Sequence, residues 1–136
     1  MSTPGLARAV LTLSALPFAA IGLGFLFAPE AMAARVDVSL ASVTADHDVR
    51  AVYGGLQVAC AVLLAGGALS RSHVRPALVA QVVLYGGLVA GRLMGWLATG
   101  APGGFGLWLH GLEALGLAAG AFALHRLQRP QREGRA

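Results

Sequence analysis

The chain has 136 residues, the length of one domain, and 57% of it is hydrophobic against 12% charged, whereas a water-facing domain carries about 25% charge. Its net charge of +4 and pI of about 10.6 come from arginine alone. Most of these arginines sit beside apolar runs rather than along a stripe, which reports topology and argues against a nucleic-acid partner. A lone cysteine, Cys60, lies within an apolar run. It excludes an intramolecular disulfide, reads as a buried inert thiol, and leaves no metal or cofactor to expect.

The first apolar segment covers about 6–28 and stops before Pro29. Arg8 near its start is long enough to snorkel to an interface, and Pro17 predicts a kink that neighbouring helices must satisfy. Arg8, the apolar run and Ala31-Met32-Ala33 also imitate a signal peptide with its cleavage site. The run exceeds the usual apolar core of about 7–15 residues, so a retained span is the expectation. An outer loop follows over 29–48. Its Val36–Leu40 alternation fits either a short amphipathic strand or an interfacial element, and Thr44–Asp48 is rich in helix-capping residue types.

The second span is expected over 49–69 and the third over 76–98, with Pro76 in the first turn, where its missing N–H costs nothing. Residues 99–106 are a run of breakers. The fourth span covers 107–124 and a basic tail follows over 125–136. Each span approaches the roughly 20 residues that cross a hydrocarbon core.

Arginines alternate along these flanks. Arg8 marks the first flank, and 29–50 sets Glu30, Asp37, Asp46 and Asp48 against Arg35 and Arg50. The link after span two holds Arg71 and Arg75, the turn 99–106 is uncharged, and the tail holds Arg126, Arg129, Arg132 and Arg135 against Glu133. The positive-inside rule places the arginine-rich flanks in the cytoplasm. The expected fold is a single all-α domain, 1–136: a four-transmembrane-helix antiparallel bundle with both termini cytoplasmic.

Helices in lipid associate through small residues and buried polar contacts. Gly87, Gly91 and Gly95 make a four-residue stripe on span three, Gly116 and Gly120 repeat it on span four, and span two offers Gly55 with Ala59 and the pair Gly66-Gly67. Packing within the chain is the expected use, and a homo-oligomer or a larger membrane complex is the alternative.

Polar residues inside spans need a reason. Arg50, Tyr53, Gln57 and Cys60 share one face of an ideal helix, and Asp46 stands four residues before Arg50 as its partner. Span three carries Tyr85 and Arg92, and span four carries His110 and Glu113. Arg92 and Glu113 lie equally far from the uncharged turn, so two antiparallel neighbours would bring them to one level. One reading makes these residues a clasp that fixes helix register. The other makes Arg50, Tyr53, Gln57, Arg92, His110 and Glu113 an outward pocket for a small anionic or lipid-like ligand. Trp96 and Trp108 flank the turn as interface anchors first and pocket walls second.

No nucleophile–base pair, phosphate loop or dinucleotide fingerprint appears, so no catalytic residue is expected. A non-enzymatic accessory or ligand-binding protein in the lipid bilayer is the leading expectation. The alternatives are an oxidoreductase or transferase acting on a quinone or lipid, and a structural subunit of a larger complex.

Asp48-Val-Arg50-Ala-Val-Tyr53-Gly54-Gly55, then Gly91-Arg92 and a glutamate in the last span, resemble the bacterial four-helix membrane family called domain of unknown function 4345, over about Leu6 to Leu124. A likeness to the DoxX-like group is topological only. The resemblance implies the bundle, the polar positions Asp48, Arg50, Tyr53, Gln57, Arg92 and Glu113, and a multi-pass place in the bacterial cytoplasmic (inner) membrane. It implies no activity.

Overall fold

The computed structural model describes residues 3–133. Among them every regular element is helical: α1 (Thr3–Phe27), α2 (Pro29–Ala34), α3 (Val43–Val49), a π-helical stretch (Arg50–Gly55), α4 (Leu56–Leu69), α5 (Val74–Thr99) and α6 (Gly104–Glu133). Four stretches are long and apolar enough to cross a membrane, at Thr3–Phe27, Val43–Leu69, Val74–Thr99 and Gly104–Gln128. Their outward faces are large and apolar, with Phe27, Leu69 and Leu97 more than four-fifths exposed, a surface suited to hydrocarbon rather than water. The side chains of the tail arginines Arg129, Arg132 and Arg135 lie outside the described residues.

Two compact units partition the chain. The first takes α1 up to Ser14 and everything from Leu64 onward. Its spine is the antiparallel α5–α6 hairpin. Gly100 closes α5 at φ 91°, ψ 175° and donates its N–H to the Trp96 carbonyl at 2.9 Å; that backbone region is essentially glycine's alone.

Along the hairpin, Gln81 and Tyr85 project from one face of α5 into notches that Gly120 and Gly116 leave on α6. A Cβ on Gly116 would lie 2.7 Å from the Tyr85 ring, and one on Gly120 2.9 Å from the Gln81 amide nitrogen. The Gln81 Nε2 donates to the Gly116 carbonyl at 2.9 Å, and the Tyr85 hydroxyl donates to the Ser14 carbonyl at 3.1 Å.

The stripe on α5 behaves differently. A Cβ on Gly87, Gly91 or Gly95 meets nothing within 4 Å. Packing within the chain, expected of these three glycines, is therefore not made among the described residues. They occupy the side of α5 turned away from α6, while Gly116 and Gly120 on the partner helix make the close approach.

The second unit runs from Ala15 to Leu63. There α1 and the later span touch backbone to backbone: a Cβ on Gly22 would come within 2.8 Å of the Val58 nitrogen and 2.9 Å of the Gly54 carbonyl. Phe25, Ala33 and Val49 form a small core against which Ile21, Met32 and Leu40 pack, so α2 folds back as a cover. In the turn after α2, Asp37 takes the left-handed region at φ 56°, a conformation that aspartate tolerates better than most residues. Residues 36–40 form no strand, which removes the strand alternative for Val36–Leu40. The cap of α3 is Ser42, whose hydroxyl accepts from the Ala45 N–H at 3.1 Å. This corrects the expected capping run Thr44–Asp48, all of which is helix, because a serine two residues earlier reaches the free N–H first.

Candidate functional site

Arg92 and Glu113 meet across the hairpin. Arg92 lies seven residues before Thr99 and Glu113 nine after Gly104, roughly 11 and 14 Å along their helices at the standard rise. Arg92 Nε donates to Glu113 Oε2 at 2.5 Å, and Nη2 donates to Oε1 at 2.9 Å. This two-toothed geometry is the strongest form an ion pair takes. Exposure is unequal: the glutamate side chain is 7% exposed and the arginine 36%. The carboxylate is thus fully engaged, while Nη1 and one Nη2 proton stay available at the open edge.

Helix spacing gathers more chemistry round the pair. His110 is one turn before Glu113 on α6, and Trp96 is one turn after Arg92 on α5. The Trp96 and His110 rings meet edge to face with centroids 5.9 Å apart. His110 Nδ1 is buried and has no hydrogen-bond partner. Trp108 stacks on Phe105 at 5.9 Å instead of entering this group.

Arg50, Tyr53 and Gln57 belong to the second unit and have different company. Arg50 Nε pairs with Asp46 Oδ2 at 2.8 Å, and its Nη1 donates to the Leu26 carbonyl. That carbonyl is one of the four a helix leaves unsatisfied at its C-terminus, so Arg50 caps α1. Tyr53 is half exposed and packs its ring on Phe25 at 5.4 Å. Gln57 is half-buried one turn on, and Cys60 is a half-buried free thiol. The π-helical stretch at Arg50–Gly55 inserts an extra residue into the turn, so the 50-53-57-60 face of an ideal helix is broken between its members.

Gln81 went unnoticed in the sequence. It is fully buried, and its Oε1 has no hydrogen-bond partner. The available signal was a neutral amide in the apolar run Val79-Ala80-Gln81-Val82, four residues from a tyrosine at glycine-notch spacing. Among the described residues no group of three or more histidine, cysteine or acidic side chains is placed to hold a metal.

These features define a small all-helical protein with four membrane-length helices and an ion pair inside one hairpin. The chain matches the family described as domain of unknown function (DUF4345) over residues 6–124, and it belongs to that family. Neither a curated protein nor a solved structure matches it.

Proposed function

We propose that this is a multi-pass protein of the bacterial cytoplasmic membrane, both ends inside, that binds rather than transforms a small ligand at the Arg92–Glu113 pair. One observation carries the reading: Glu113 holds the arginine from one side only, and the Arg92 side chain remains 36% exposed on a hairpin that also carries the Trp96–His110 ring contact. Such an edge suits a ligand oxygen, either a carboxylate or a quinone carbonyl, because the guanidinium offers donors in a fixed plane. Glu113 keeps the guanidinium in place and offsets a charge that costs about 2.5–3.5 kcal/mol at span centre.

Trp96 touches His110 and so reports on the site. In a Trp108→Phe background, oleate or a short-tailed quinone is expected to change Trp96 emission saturably, and Arg92→Leu is expected to abolish that change in a protein that still elutes as a single folded species. A response that Arg92→Leu leaves intact, or no response to either probe, defeats the binding reading.

The unpartnered His110 nitrogen also favours a rival, an oxidoreductase or transferase acting on a quinone or lipid. It requires turnover that His110→Ala removes while binding persists. A purely structural clasp predicts a third pattern, in which Arg92→Leu and Glu113→Gln each unfold the protein and the double change restores it.

A further inference from the structure

We propose that a second site, at the arginine-rich end of the first unit, binds the phosphate group of an anionic lipid. A cleft of about 450 Å³ opens where the start of α1, the end of α4, the start of α5 and the last part of α6 converge, lined by Pro4, Gly5, Arg8, Arg71, Val74, Arg75 and Leu127. Three arginines enter this lining, and no acid does. Like charges gathered without a counter-ion call for an anion to neutralise them.

One arginine is fixed in place. Arg8 donates from Nε to the Ala68 carbonyl at 2.5 Å and from Nη2 to the Leu69 carbonyl at 2.9 Å, capping α4 and leaving Nη1 unengaged by these bonds. Arg71 and Arg75 are exposed and free to close on a ligand. The start of α5 adds to the field. No side chain caps it, so its first turn keeps the positive end of the helix dipole, and two residues of that turn, Val74 and Arg75, line the cleft.

The remaining wall is apolar, supplied by Pro4, Gly5, Val74 and Leu127. The cleft also lies at the ends of the membrane-length stretches, beside Leu69, which is 81% exposed. Cations above an apolar wall at span-end depth match a phosphate ester with a hydrocarbon tail better than a free ion. The site is distinct from the Arg92–Glu113 pair, which occupies the turn end of the hairpin.

The test uses the full chain in neutral detergent, with thermal unfolding and native mass spectrometry as readouts. Phosphatidylglycerol is expected to raise the unfolding temperature by about 4 °C or more through mass action and to stay bound in the mass spectrum. Phosphatidylcholine and inorganic phosphate are expected to do neither. The Arg71→Gln/Arg75→Gln variant should lose the shift while its lipid-free unfolding temperature is unchanged, and Arg71→Lys/Arg75→Lys should keep part of it. Arg8 is left intact because it caps α4. A phosphatidylglycerol shift that survives the glutamine variant, or an equal shift with phosphatidylcholine, overturns the site. An equal shift with inorganic phosphate alone overturns the lipid as its source.

Discussion

Tyr85 illustrates how one residue ties sequence to packing. Its ring fills the notch at Gly116 and its hydroxyl is anchored on the Ser14 carbonyl, so it cannot swing aside. Gly116→Val should therefore overpack the hairpin, costing about 1–3 kcal/mol and lowering the detergent melting temperature, with Tyr85→Ala in the same chain recovering part of the loss. If Gly116→Val melts with the parent, the notch is slacker than its distances say. At this scale charge was easier to read than neutral polarity. Arg92 and Glu113 stood out because hydrocarbon leaves a lone ion no cheap option. Gln81 did not, since a neutral amide among valines and alanines carries no such demand. Arg50 was half legible. Its pairing with Asp46 followed from four-residue spacing, whereas its bond to the Leu26 carbonyl, 24 positions away in sequence, had no local signal.

Glycines sort the helices into faces that touch and faces that do not. Gly22 meets the opposing backbone itself, at the Val58 nitrogen and the Gly54 carbonyl, whereas Gly87 meets nothing. Gly22→Leu is thus expected to destabilise by about 3 kcal/mol or more, while Gly87→Leu leaves the unfolding temperature unchanged or raises it through better helix propensity. Equal losses from the two would mean that the α5 stripe is covered in the purified protein. Helix number and length were legible, because a run of about 20 apolar residues has few other uses. Which stripe becomes a contact was not, because Gly87, Gly91 and Gly95 on α5 and Gly116 and Gly120 on α6 share the same four-residue spacing. The π-helical stretch at Arg50–Gly55 was hidden for a related reason: it coincides with the close crossing at Gly54, which no local pattern announces.

Over the whole molecule, five described arginines hold three kinds of position. Arg8 and Arg50 cap helix ends, Arg71 and Arg75 rim a cleft at the end of the spans, and Arg92, within α5, is answered by Glu113. The last arrangement has an electrical consequence. Plus and minus sit at one depth and cancel, so a voltage across the bilayer exerts almost no net force on the pair. Without the acid, Arg92 becomes a solitary charge part-way through the field, subject to some fraction of the about 2.3 kcal/mol that 100 mV imposes on a full crossing. In vesicles polarised with a potassium gradient and valinomycin, Trp96 emission should ignore voltage in the parent and follow it in Glu113→Gln. A parent that already responds would mean the two charges part company under load, making the hairpin a voltage-sensitive element in its own right.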